Sequence, residues 1–404
     1  MIRQLFPPAA PLDASALLDS IGGPDLQVGD ERMLSFLDTA GQRLRAPAIA
    51  RRHPELGALG VYLRRGHLTA ELARINTSNH QLRFPRGLIF HVAPGNADTV
   101  FVYSWALAAL TGNCNVVRLS ERGGEAARVI LDVLVETLEA SSPVIAQTQR
   151  IISYDHSEEN ITSALSAACN LRVMWGGDRA IQEIRRSPLQ PAARDLPFPN
   201  RSSFAAISAD SFLATDATSR LRAVESFHSD AYLFDQAACS SPGTIFWVGS
   251  VSSVSVAEQA FFDSLRQVVE IRGPRVDAAM AIEKHVAVYG LAAEGIAREV
   301  RFIENEIAVV QLAEPVHLPR RWLGAGTFPQ YRVASLNDIA PLLQRQDQTL
   351  SYFGFTPAEM MLFGREVAGR GIDRIVPMGR ALEFSSIWDG HDLLREFTRL
   401  VTVD

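Results

Sequence analysis

The sequence predicts an α/β protein built on parallel sheets, and three observations carry that expectation. Apolar strand-like runs alternate with helix-like segments over roughly 100 residues from Arg86 onward. A second block of the same kind follows a proline-rich stretch. Hydrophobic residues at 47% and charged residues at 21% give the balance of an ordinary folded domain rather than of a disordered chain. Such alternation covers both faces of a parallel sheet with helices.

The elements follow in order. At about 150 residues per domain, 404 residues make two or three domains. Segments 31–45 (ERMLSFLDTAGQRLR) and 55–76 have apolar positions three and four apart, which predicts a helical N-terminal layer. RGLIFHVAPGNADTVFVYSWALAALTGNCNVVRLS reads as a strand, a Pro-Gly-Asn turn, a helix from about Asp98, a Gly-Asn stop and a strand at Asn115–Leu119, which is a βαβ unit. A helix from about Gly124 to Ala140 comes next, then the strand QRIISYDH, the helix SEENITSALSAACN with Ser157 as its N-cap, and the strand LRVMWGG running into the helix DRAIQEIRR. SPLQPAARDLPFPNRSS is the expected crossing between domains, with a boundary near Ser203. Beyond it SFAAIS, GTIFWVG and FIENEIAVVQLAE read as strands, among helices at about 215–227, 254–271 and 276–289. The tail LLREFTRLVTV alternates as an edge strand does, one able to pair across a subunit interface.

Composition narrows the function. Lys and Arg number 39 against 45 Asp and Glu, a net charge of -6, with no basic run to track phosphates, so nucleic acid is not an expected partner. The segment MIRQLFPPAAPLDASALLDS lacks the apolar core of a signal peptide, and no window reaches the roughly 18 apolar residues of a membrane span, so the expected location is the cytoplasm. Three cysteines, Cys114, Cys169 and Cys239, show no C-x-x-C spacing, so neither a disulfide framework nor a metal site is expected.

Four places could carry chemistry. Cys239 sits among small neighbours in FDQAACSSPGTIFWVG, just before a strand; a thiol there is a nucleophile if its thiolate is stabilised, and otherwise an ordinary buried cysteine. Asn96, in the turn between strand and helix, could donate to a developing oxyanion or simply satisfy the turn. Gly176 and Gly177 stand at a strand-to-helix turn, where backbone N–H groups favour phosphate, although tight turns use glycine for their own sake. Arg118, with Ser120 after it, ends a parallel strand, the edge at which open α/β sheets hold nucleotides; a solvated arginine is the plain alternative.

Taken in order, the PGN turn, ALAALTGNCNVVRLS, the Gly-Gly turn and a single cysteine before a strand resemble the aldehyde dehydrogenase superfamily. FHVAPGN, WGGDRAI, FDQAACSSP, DRIVPMG and WDGHDL bring the sequence nearer to the bacterial acyl-CoA reductases, the fatty-acid reductase subunit of bioluminescence aldehyde supply, over roughly residues 80–400. The resemblance implies an aldehyde dehydrogenase-like fold of two parallel-sheet domains with a small oligomerisation segment. Residues 1–203 would hold the helical layer and a Rossmann-like NAD(P) domain, 204–375 the catalytic domain, and 376–404 a C-terminal return. It implies Cys239 as acyl acceptor, Asn96 with the Cys239 backbone N–H as oxyanion hole, and Pro94, Arg118, Ser120, Gly176 and Gly177 around the cofactor, with Arg118 suited to the 2′-phosphate of NADPH and NADH as the alternative. Cys114 and Cys169 are left to packing inside their elements. Where hydrolytic aldehyde dehydrogenases carry a water-activating glutamate, this chain has DLPFPNRSS, which favours reduction of an acyl thioester over oxidation of an aldehyde. The implied enzyme is a cytoplasmic homo-oligomer that takes acyl groups from CoA, a carrier protein or an acyl-transferring synthetase. Its rivals are an aldehyde or semialdehyde dehydrogenase working oxidatively and a non-catalytic acyl-carrier-binding subunit.

Overall fold

The structure, a computed structural model, describes residues 1–22, 26–75, 80–94, 99–120, 124–272, 276–367 and 369–403. The chain forms two compact units, residues 1–200 with 384–404 and residues 201–383. In the first unit lie β1 (Arg3–Phe6), β2 (Gln81–Pro85), β3 (Leu88–Val92), β4 (Cys114–Leu119), β5 (Gln149–Ser153), β6 (Leu171–Trp175) and β7 (Arg194–Phe198). All but β2 join one sheet of order β1-β5-β4-β3-β6-β7, parallel except for β1.

The helix Val100–Leu110 is apolar on every side and is therefore buried, with Trp105 in edge contact with Phe6 and Phe36. Phe36 belongs to the expected helix Glu31–Leu44, whose N-cap Asp30 accepts the Arg32 N–H. Segment 55–76 is not one helix. It breaks into Pro54–Tyr62 and Arg65–Ala73, because Gly60 packs against Gly41 and the Asp38 carboxylate accepts the Arg65 N–H, starting a second helix. Nor does Ser157 cap the helix Glu159–Ala168. Its N–H and hydroxyl both donate to Asp155, and Glu158 takes the cap position. The proline-rich crossing contributes β7, at the sheet edge, where the N–H that Pro197 lacks is not needed.

Much of ALTGNCN builds the fold. Gly112 has φ +83°, and a Cβ there would lie 2.6 Å from the Leu26 carbonyl oxygen. Asn113 accepts the Gly87 N–H and donates to the Phe397 carbonyl. Asn115 Nδ2 donates to Gln149, which also accepts the Trp105 indole N–H, leaving Asn115 Oδ1 to accept from His91 Nε2 at 3.0 Å. His91 is thereby fixed as the neutral Nε2–H tautomer, with Nδ1 accepting from Ser104, and burial holds its pKa down at about 4.

The second unit carries β8 (Ser202–Ser208), β9 (Pro242–Val248), β10 (Ala297–Ile303), β11 (Ile307–Leu312), β12 (Thr327–Val333), β13 (Asp347–Phe353) and β14 (Arg374–Pro377). Their order is β10-β11-β12-β9-β8-β13-β14, parallel except for β10. FIENEIAVVQLAE is thus not a single strand: Glu304, at φ +53°, turns the chain and folds β10 onto β11. Phe212, Phe227, Phe261 and Phe328 pack on one side of this sheet, and Phe204, Phe246 and Phe363 form a separate cluster with Leu350.

Back in the first unit, β15 (Ile387–Trp388) and β16 (His391–Asp392) are joined by Asp389-Gly390, with φ +49° and +75°, the two-residue turn that Asp-Gly favours in hairpins. The tail strand β17 (Thr398–Thr402) pairs antiparallel with β2 of the same chain, Thr398 opposite Pro85 and Thr402 opposite Gln81. No helix among the described residues is long and apolar enough to cross a membrane.

Candidate active site

The Cys239 segment is set by the end of the helix Ala217–Tyr232. Phe234, Asp235 and Gln236 follow at φ +63°, +51° and +60°, three consecutive left-handed residues none of which is glycine. Each such residue costs roughly 1–2 kcal/mol, so the turn exists only because its surroundings hold it. Gln236 does most of the holding. Its Nε2 donates to the carbonyls of Pro242 (2.9 Å) and Thr327 (3.0 Å), and its Oε1 accepts the Thr327 N–H (3.1 Å). The Trp322 indole N–H adds a bond to the Asp235 carbonyl at 2.9 Å.

This turn delivers Cys239 to the amino ends of β8, β9, β12 and β13. The thiol is half-buried. Ser203 Oγ donates to the Cys239 carbonyl at 2.6 Å and accepts the Thr349 N–H at 3.1 Å, pinning the cysteine between two strands. Gln348 Nε2 donates to Sγ at 3.4 Å. Around the thiol lies a pocket of about 80 Å³ lined by Ser203, Gln236, Arg320, Arg321 and Trp322 among others, and among the described residues no carboxylate side chain lines it. Arg320 is held on the buried Asp347, which also accepts from Ser202 Oγ and the Gln344 N–H. A part-exposed thiol with a hydrogen-bond donor and guanidinium groups nearby has the surroundings of a reactive cysteine. The other two thiols do not: burial pushes Cys169 up to about 12 and raises Cys114 as well. Both lie at element ends rather than inside, Cys114 opening β4 and Cys169 capping its helix.

In the first unit, Pro94 after β3, Arg118 and Ser120 at the end of β4, and Gly176 and Gly177 after β6 come to the carboxyl edge of three neighbouring strands. The chain runs from β3 outward through β4 and β5, then returns to place β6 on the other side of β3. That reversal is the switch point at which α/β sheets bind ligands. The Arg118 guanidinium lies over the Tyr154 ring at 4.8 Å, its Nη2 donates to the Tyr154 carbonyl at 3.4 Å, and among the described residues its buried Nε has no hydrogen-bond partner. Neither glycine has positive φ, and a Cβ at Gly176 or Gly177 would meet its nearest neighbour at 3.6 or 3.5 Å, ordinary contact distances. The fold does not demand glycine there, so an open backbone is what the two supply. Asn96 lies outside the described residues.

The late motifs acquire structural roles. In DRIVPMG, Asp230 accepts the N–H groups of Gly379 (2.6 Å) and Ala381 (2.9 Å), while Arg374 donates to the carbonyls of Arg380 and Ala381, caging the turn after β14. WDG is the β15–β16 hairpin. Sequence reasoning did not single out Gln348, Ser203 or Gln236. Gln236 stands inside the quoted FDQAACSSP, but nothing in QTLSYFGF marks Gln348.

The family model for acyl-CoA reductase (LuxC) matches residues 67–400. Among solved structures the chain is similar to a lactaldehyde dehydrogenase, at 14% identity and TM-score 0.66 over 97% of this chain and 90% of that one. It is similar to an NAD-dependent benzaldehyde dehydrogenase from Corynebacterium glutamicum at 13% identity and TM-score 0.66, covering 96% and 87%. Aldehyde dehydrogenase 21 from Physcomitrella patens, solved with the reaction product succinate, gives 11% identity and TM-score 0.66, covering 92% and 85%. At such identities the likeness is one of fold: the chain has the aldehyde dehydrogenase fold. No curated protein sequence matches it.

Proposed function

Since the chain belongs to the acyl-CoA reductase (LuxC) family, we propose that it reduces an acyl thioester, carried on CoA or a carrier protein, to the aldehyde through an acyl group held on Cys239. The Cys239 thiolate attacks the thioester carbonyl, the bond from that carbon to the carrier sulfur breaks, and the carrier thiol leaves with a proton. A nicotinamide cofactor supplies the hydride when bound. Once the acyl carbon has taken the hydride, the Cys239 sulfur departs as thiolate and the aldehyde is released. The sum is acyl thioester, NADPH and a proton giving aldehyde, NADP⁺ and thiol. Asn96 and the Cys239 backbone N–H are the proposed oxyanion donors.

One observation carries this reading: the half-buried Cys239 sulfur accepts an N–H from Gln348 and borders a pocket that no carboxylate lines among the described residues. Among the described lining residues no carboxylate stands ready to activate water, which suits an acyl-enzyme that must wait for hydride. The first unit's residues fit a dinucleotide. Among the described residues the buried Arg118 Nε has no partner, and Pro94, Ser120, Gly176 and Gly177 share its sheet edge. Arg118 is the residue to contact a 2′-phosphate, which favours NADPH. Exposed Leu82, Phe84, Leu400 and Val401 on the β2–β17 ribbon support a homo-oligomer, and an acyl-transferring synthetase is the proposed donor in a cytoplasmic setting.

NADPH oxidation measured across acyl-CoA and acyl-carrier thioesters, with the aldehydes identified by mass spectrometry, tests the reading. Cys239→Ala is expected to abolish both acyl labelling and reduction. Full labelling of that variant, or oxidation of aldehydes to free acid without CoA, overturns it.

A further inference from the structure

Gln348, the second residue of β13, lies beside the thiol and is 2% exposed. One contact fixes which end of the amide faces the sulfur. Oε1 accepts from Thr349 Oγ1 at 3.4 Å, which turns the NH₂ end onto Cys239 Sγ. The backbone is equally held: the Gln348 carbonyl accepts the Asp373 N–H at 2.8 Å, the Asp347 carbonyl accepts the Ile372 N–H at 2.8 Å, and β13 lies between β8 and β14. The Asp347 carboxylate, held by Arg320, Ser202 and Gln344, anchors the preceding residue. An amide on an interior strand with both neighbours locked is a preorganised donor.

We propose that Gln348 is a catalytic residue that holds the Cys239 sulfur as thiolate and, by being an amide, commits the acyl-cysteine to reduction instead of hydrolysis. The first part follows from hydrogen-bond chemistry. A donor aimed at the charged form favours that form, and the thiolate is the nucleophile. Acylation removes the charge on sulfur and weakens the bond; departure of the sulfur after hydride addition restores it. The N–H therefore assists both the formation of thiolate before attack and its expulsion at the end. The second part follows from what an amide lacks. It takes no proton from water, whereas a carboxylate in its place would remove a proton from a water attacking the acyl carbon. The carbon–sulfur bond would then break to give free acid and thiolate. This second part rests on the acyl-reductase reading, while the first does not.

The test uses the full chain and two near-isosteric variants, Gln348→Met and Gln348→Glu, with folding checked by circular dichroism. Alkylation by iodoacetamide, located at Cys239 by peptide mass spectrometry, is followed from pH 5 to 10. For Gln348→Met the rate at pH 7 is expected to fall about tenfold while the high-pH plateau stays within about twofold, since losing a hydrogen bond to a charged group removes stabilisation of that order. A purely packing role would not move the pH profile. A Gln348→Met profile that superimposes on that of the native protein overturns the proposal, whatever the substrate proves to be. With an acyl-CoA that labels the native enzyme, Gln348→Glu is expected to release free acid at least about tenfold faster than the native enzyme; no increase overturns the claim that the amide guards against hydrolysis. If no thioester labels Cys239 in the native chain, the acyl-reductase reading and the hydrolysis claim fall together, and the alkylation profile still decides the thiolate claim.

Discussion

Replacing Gln236 with leucine keeps the side-chain bulk and removes all three of its hydrogen bonds, to Pro242 and twice to Thr327. At about 1 kcal/mol net each, those bonds are worth about 3 kcal/mol, and the Trp322 bond to Asp235 adds about 1 more. Against them stand three left-handed residues at roughly 1–2 kcal/mol apiece, a stored strain of about 3–6 kcal/mol. Once the Gln236 clamp is gone the Trp322 bond cannot hold the turn alone, so residues 234–236 relax toward right-handed conformations and recover most of that strain. The expected signature is therefore lopsided. Stability in urea falls by less than about 2 kcal/mol, because released strain offsets lost bonds, whereas Cys239 loses its place beside Gln348 and kcat/KM falls at least about 100-fold, as a displacement near 1 Å is enough to do. Urea unfolding, Cys239 alkylation at pH 7 and NADPH oxidation with an acyl-CoA are the three measurements. Wild-type alkylation and turnover in a variant destabilised by 4 kcal/mol or more would refute the reasoning, for it would mean that Gln236 stabilises the fold without shaping the site.

Other outcomes follow from the same geometry. Arg118→Ala is expected to weaken NADPH binding about tenfold or more and NADH binding much less, by calorimetric titration; equal losses for both would remove Arg118 from the 2′-phosphate. Acid should affect the two units unequally. Burial depresses His91 to about 4 in the first unit, so the unfolded chain binds the extra proton between pH 6.5 and 4 and stability is lost as pH falls through that window, by about 3 kcal/mol at 1.4 kcal/mol per pH unit. In the second unit His228, held at about 4 chiefly by burial and then by Arg272, acts in the same direction. Burial raises Asp230 to about 6, so there the folded state holds the extra proton and stability is gained as pH falls, which nearly cancels the His228 effect. Hydrogen exchange at pH 4.5 should then show β3–β6 losing protection before β8–β13, and simultaneous loss would count against this account. Gly326→Ala places a Cβ 1.9 Å from the Glu306 carbonyl oxygen at φ +69°, so a loss above about 2 kcal/mol in urea unfolding is expected, together with slower Cys239 alkylation, because Thr327 of the clamp is the next residue.

What sequence alone determined here is what local rules determine. The alternation of apolar runs defined the parallel strands, Gly-Asn marked the stop of the helix before β4, and the order of short motifs named the family and picked out Cys239. Departures came where a neighbour distant in sequence intervened. Asp38 broke a helix at Arg64, a sheet edge accepted the proline-bearing β7, and Glu304 adopted a left-handed turn that its residue type does not announce. Motif strength did not separate chemistry from architecture either: Asn113 and Asn115 of ALTGNCN bond within the interior, while Arg118, three residues on, reaches the open edge. Only the tertiary structure decided what surrounds the thiol. Gln236 and Gln348 lie 112 residues apart in the chain, and neither carries a pattern of its own. The strained turn before Cys239 and the donor on its sulfur exist because parallel strands bring their amino ends together in an order unrelated to the order of the sequence, and a hydrogen bond depends on that proximity rather than on spacing along the chain.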